Sequence, residues 1–181
     1  MLIPTPKGWV AKILLLLLVL SFAVWGIADQ LNGNIGGTTV IEAGDKAVIA
    51  TTPWGQLGMS ICYDLRFAAL YRTLAQNGAQ FITIPAAFTQ TTGKAHWHTL
   101  VQARAIETGC YIIAPNQCGH HADKRFSWGH SLIVDPWGEV LADGGADPGI
   151  IYADIDLDRV DQVRSRIPAL DNGRDFTLTR F

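Results

Sequence analysis

The 181-residue sequence is short of several things, and each shortage removes a class of protein. Cysteine occurs three times, too few for a fully paired disulfide framework, so Cys62, Cys110 and Cys118 are read as mostly free thiols. Charged residues are 17% of the chain, and 14 basic against 16 acidic side chains leave a net charge of −2. That balance excludes a disordered polar chain and a nucleic-acid binder driven by basic charge. No serine-hydrolase elbow occurs, because Gly129-His-Ser131 continues into Leu132-Ile133. The histidines (His96, His98, His120, His121, His130) with Cys110 and Cys118 fit no compact finger spacing, so neither a metal nor another cofactor is expected. Gly144-Gly145 is a turn without the context of a phosphate loop.

What the chain has in excess is local. Hydrophobic residues reach 49%, but 14 of the 16 residues from Ile13 to Ala28 are apolar. The remainder has the composition of one ordinary globular domain. The run from Trp9 to Ala28 is 20 residues long, enough for a helix to cross a bilayer's hydrocarbon core. Lys7 and Lys12 near its start and Asp29 after its end leave the N-terminus in the cytoplasm by the positive-inside rule. The expectation is a single-pass membrane protein anchored through residues 9–28, or a cytoplasmic one if the anchor is not used. The rival is a cleaved signal peptide, since Gly26 and Ala28 are small residues at −3 and −1 before Asp29.

Asn32 to Thr38, rich in Asn and Gly, is read as a flexible joint. The expected organisation is therefore an anchor or signal over residues 1–31, a linker over 32–39 and a domain over 40–181. Within that domain, strands are expected at Ala47–Thr51, Leu57–Cys62, Phe81–Ile84, Tyr111–Ala114 and Ile150–Ile155. Ser131–Val134 and Glu139–Ala142 flank a hairpin turn, Asp135-Pro-Trp-Gly138. Helices are expected at Phe67–Gln76, Ala95–Thr108 and Leu157–Arg166. Strands alternating with helices predict an α/β layered domain with a mixed sheet.

Chemistry concentrates at Gly58-Met-Ser-Ile-Cys-Tyr-Asp-Leu-Arg-Phe67. Cys62 ends an apolar strand just before a helical segment. A helix N-terminus there lowers a thiol's pKa, and the next backbone N–H can face a developing oxyanion. The bland alternative is a small buried hydrophobe.

Ser60-Ile-Cys-Tyr-Asp-Leu-Arg-Phe67 resembles the nucleophile motif of the nitrilase superfamily, the carbon–nitrogen hydrolases. Ile84–Phe88, Thr92–Trp97, Ala103–Glu107, Trp128–Ser131, Val134–Gly138 and Ala153–Asp156 resemble that family in the same order. The branch most similar is the Nit type of amidase, which acts on deaminated glutathione or ω-amides. The resemblance implies a small-molecule amide substrate, no cofactor, a homodimer, and Cys62 as a nucleophile forming a thioester. It further implies that the Tyr63 backbone N–H binds the oxyanion, that Phe88 and Trp97 line the acyl pocket, and that Arg66 partners a substrate carboxylate. Arg104 and Glu107, three apart on one helix, read as a structural ion pair.

The same family uses a Glu–Lys–Cys triad, and neither of the first two is matched here. Glu42, with Lys7, Lys12 and Lys46, are the residues of those types before Cys62, and none sits in a matching motif. The expected fold is accordingly an incomplete nitrilase-like α-β-β-α sandwich with an N-terminal transmembrane helix, and the expected activity is impaired. A different class remains open: a catalytically inactive membrane-anchored fusion or truncated protein with a binding or structural role. Residues 8–29 separately resemble the N-terminal anchor of SurA/PpiD-type peptidyl-prolyl isomerases and chaperones, which bears on topology alone.

Overall fold

Phe81–Thr83 and Tyr111–Ala114 carry no charged residue, the pattern of strands covered on both faces. In the computed structural model, which describes residues 44–121 and 126–180, all seven of these residues are buried at the centre of a six-stranded sheet. In chain order the elements are β1 (Val48–Thr52), β2 (Gly55–Met59), a 3-10 turn (Cys62–Arg66), α1 (Ala68–Gln76), β3 (Phe81–Thr83), α2 (Gln90–Thr108), β4 (Tyr111–Ala114), β5 (Cys118–His120), β6 (Phe126–Trp128), β7 (Leu132–Val134), β8 (Val140–Asp143) and α3 (Asp158–Arg166). The sheet order is β1-β2-β3-β4-β7-β8, with β2, β3 and β4 parallel and β1, β7 and β8 antiparallel to their neighbours. β5 and β6 form a separate two-stranded ribbon.

Alternate residues of the central strands face opposite layers. Ile82, Ile112, Leu132 and Val134 pack with Tyr71 and Leu74 of α1 and Trp97, Val101 and Ala105 of α2. On the second face Leu57, Phe81, Tyr111 and Ile113 pack with Val160 of α3. α2 buries Gly93, Trp97, Val101, Ala105 and Thr108, one stripe at helical spacing. It ends where Gly109 takes the left-handed conformation, φ +59°. Asp135 builds the β7–β8 turn by accepting the N–H groups of Trp137 and Glu139 on one carboxylate oxygen.

Several expectations need correction. The strand expected to reach Cys62 stops at Met59, and Cys62 opens the 3-10 turn instead. α2 starts five residues earlier than periodicity suggested, at Gln90 rather than Ala95. Gly93 and its threonine neighbours argue against helix by propensity. Tertiary contact decides otherwise, because Gly93 lies directly against the Trp128 side chain. No strand is expected over residues 118–128, yet the described parts pair as β5 and β6. Ile150–Ile155 forms no strand; its residues alternate between half-buried and exposed, but no ladder receives them among the described residues. The expected anchor, residues 9–28, lies outside the described residues, and among those described no helix is long and apolar enough to cross a membrane.

Gly93→Ala isolates the close approach of α2 to β6. Alanine gains about 1 kcal/mol of helix propensity over glycine. The new methyl group collides with Trp128, and overpacking of this kind costs about 1–3 kcal/mol. The expected outcome is a net loss of stability, read as a lower midpoint in urea unfolding.

Candidate active site

The three parallel strands end together, and the cross-strand hydrogen bonds continue past their ends. Ser60 N–H donates to Thr83 O (3.1 Å), Cys62 N–H to Pro85 O (2.9 Å) and Ala86 N–H to Pro115 O (2.9 Å). Loops beyond the carboxyl ends of parallel strands are where open α/β sheets place their sites. Asn116 ties these loops together: its side-chain oxygen accepts Phe88 N–H (3.0 Å) and its amide donates to Gly129 O (2.6 Å). Ser60 donates to Thr83 O (3.0 Å) and its hydroxyl lies 2.7 Å from the Tyr71 hydroxyl, anchoring the strand end to α1.

Cys62 holds φ +43°, one of two described non-glycine residues with positive φ. A side chain in that region costs about 1–2 kcal/mol, so the surrounding bonds must impose it. Only 2% of the residue is exposed, and the thiol belongs to the main hydrophobic cluster. Burial pushes its pKa above the ordinary thiol value, against the expectation of a helix-lowered one. Hydrogen bonds from the Ala87 and Tyr63 backbone amides favour the thiolate, as does the Arg66 charge, while Asp64 opposes it. Those donors do not offset desolvation. No Glu or Lys among the described residues acts on this sulfur.

The other expected site residues divide. The Tyr63 backbone amide favours the thiolate, and the residue is 54% exposed. The Arg66 guanidinium stands 5.4 Å from the Tyr63 ring centre and 5.5 Å from that of Phe88. Among the described residues no carboxylate pairs with it. Phe88 is buried and packs 4.7 Å from Trp97, ring to ring. Trp97 is fully buried, donates its indole N–H to His130 O (2.6 Å) and backs Phe88. The Arg104–Glu107 pair is present at 2.9 Å, and Arg104 also donates Nε and Nη2 to Leu65 O (2.9 and 2.7 Å). Arg104 thus fastens the 3-10 turn that carries Cys62. Sequence reasoning passed over Ala87 and Asn116. A backbone amide leaves no mark in a sequence, but an asparagine just beyond a buried apolar strand is a usable signal.

A strained thiol at the carboxyl ends of the parallel strands, its ionisation favoured by two neighbouring backbone amides, has parts of an acyl-transfer centre built on cysteine. The carbon-nitrogen hydrolase family profile matches residues 29–165, and the chain belongs to that family. It is 50% identical over 135 residues to the deaminated glutathione amidase of Synechocystis, covering 74% of this chain and 50% of that protein. The chain thus spans about half the length of the curated relative it matches. The crystal structure of the C. elegans NitFhit protein superposes with a TM-score of 0.71 at 43% identity, covering 78% of this chain and 36% of that one. An amidase from Nesterenkonia, captured with acrylamide added to its active-site cysteine, gives a TM-score of 0.58 at 27% identity over 71% of this chain and 50% of that one. These likenesses place the chain in the Nit-type branch of the nitrilase superfamily.

Two outcomes are expected here. Because the thiolate is the reactive form and burial disfavours it, iodoacetamide should label Cys62 more slowly than half-buried Cys118 at neutral pH, with the Cys62 rate still climbing above pH 9. Peptide mapping over a pH series reads both rates. Arg104→Gln strands the buried Leu65 carbonyl and should lower stability by about 2–4 kcal/mol, whereas Glu107→Gln, at the 37%-exposed end of the pair, keeps an amide oxygen for Arg104 Nη1 and should cost less, about 1–2 kcal/mol in the same unfolding assay.

Proposed function

We propose that this chain carries the nucleophile-bearing half of a Nit-type amidase, with a small amide of the deaminated-glutathione or ω-amide class as its substrate. The reading rests on one observation: Cys62, in the nucleophile motif, is held at φ +43° just past the carboxyl ends of the parallel strands, with its N–H bonded to Pro85 O. The sulfur attacks the amide carbon and forms a thioester as ammonia or an amine leaves. Water then cleaves the thioester, releasing the acid and restoring the thiol. As the carbonyl becomes tetrahedral, the backbone donors beside the sulfur stabilise the developing oxyanion. Arg66 takes the substrate carboxylate on this reading, which its position beside Phe88 and the lack of a carboxylate partner among the described residues support.

The isolated chain is a poor catalyst on this reading. A missing general base costs roughly 10²–10⁴ in rate, and one missing oxyanion donor roughly 10²–10³. The 2% exposure of Cys62 favours a second reading, a catalytically inactive binding or structural protein. Ammonia release from an ω-amide by the purified chain separates the two. The expected result is a trace rate, several orders of magnitude below that of a complete amidase, which Cys62→Ala abolishes. Vigorous turnover would overturn the claim of impairment, and a trace rate unchanged by Cys62→Ala would remove Cys62 from the chemistry.

A further inference from the structure

His98 on α2, His130 in the turn between β6 and β7, and Asp143 at the end of β8 are far apart in sequence, yet their side chains converge. His98 Nε2 lies 3.0 Å from Asp143 Oδ2, and His130 Nδ1 lies 3.0 Å from Asp143 Oδ1. The ligand atoms of all three fall within 4.8 Å of one another. The cluster is ordered from outside as well. Trp128 stacks on the His130 ring at 4.7 Å, and His130 itself is held at φ +56° with its carbonyl bonded to the Trp97 indole. Gly145 N–H donates to Asp143 Oδ1 (2.8 Å), which leaves Oδ2 turned toward His98. Burial raises the Asp143 pKa, but the Gly145 amide and the two imidazoles together outweigh it, so the carboxyl sits below its ordinary range and is ionised at neutral pH.

We propose that His98, His130 and Asp143 form a binding site for a zinc-type divalent transition-metal ion, with the remaining position open to solvent. Two imidazoles and one carboxylate suit zinc, cobalt or nickel and not calcium or magnesium, which want oxygen alone. A tetrahedral zinc site needs neighbouring ligand atoms about 3.3 Å apart, given bond lengths of about 2.0–2.2 Å. The two His–Asp separations already lie near this spacing, so only the two imidazoles need adjustment. Metal binding needs the ligating nitrogen of each imidazole unprotonated, so each ring keeps one proton on its far nitrogen and any second proton is released to solvent. Side chains that are 24–35% exposed give the ion a path from water. The bound ion pins α2 to the β7–β8 hairpin. The site uses none of the residues assigned to the thiol centre, so it stands or falls independently of the amidase reading.

The test uses the full chain after chelator treatment. Zinc chloride titrated by calorimetry should bind at one equivalent per chain, and cobalt(II) should give a visible ligand-field band with no thiolate charge-transfer band. His98→Gln and Asp143→Asn should each weaken binding about 100-fold or more, whereas the double variant His120→Ala/His121→Ala should leave it unchanged. The absence of stoichiometric uptake by the unmodified chain overturns the proposal. So does a thiolate charge-transfer band, or binding that survives both trio variants. The first two readouts need no variant, so a variant that fails to fold does not shield the claim.

Discussion

The hydrogen bond from Cys62 N–H to the Pro85 carbonyl is the constraint on which the rest of the site depends. β2 stops at Met59, and the bond carries its pairing with the β3 edge three residues beyond. The chain must then turn at once into the 3-10 segment, and Cys62 takes the positive φ that this demands. In that pose the backbone amides of Ala87 and Tyr63 favour its thiolate form. The strain is sustained because both flanks are fixed: Ser60 by Thr83 and Tyr71, and the 3-10 turn by Arg104 on Leu65.

The same packing that fixes the thiol also discourages its ionisation. Two amide donors and a nearby guanidinium favour the thiolate, but a residue 2% exposed loses more from desolvation than those groups return. Position and reactivity are therefore separable in this domain. The carboxyl ends of the strands supply the first, while the second needs more than the Arg66 charge, and no Glu or Lys among the described residues acts on the sulfur.

Long-range polar contacts hold the loops above the sheet. Asn116 joins the segment after β3 to the turn before β7, and Trp97 reaches His130 from α2. Asp143 gathers two histidines from elements that adjoin each other only in three dimensions. Each of these groups is satisfied by a partner remote in sequence. The loops owe their shape to such bonds, since they have no ladder of their own.

Much of the fold could be read from local pattern. Tyr111–Ala114 declared itself by unbroken apolar character, α1 by the helical pattern over Phe67–Gln76, and the β7–β8 hairpin by Asp135-Pro-Trp-Gly138. Cys62 was marked by its motif, and the Arg104–Glu107 pair by helical spacing. These features depend on residues within one or two turns of each other, so the order of side chains along the chain determines them. The extra turn of α2, the pairing of β5 with β6, the unpaired state of 150–155 and the raised thiol pKa depend on neighbours supplied by other elements. Burial and desolvation are properties of the assembled layers, and for that reason only the tertiary structure decided how Cys62 ionises, where Trp97 points and that His98, His130 and Asp143 meet.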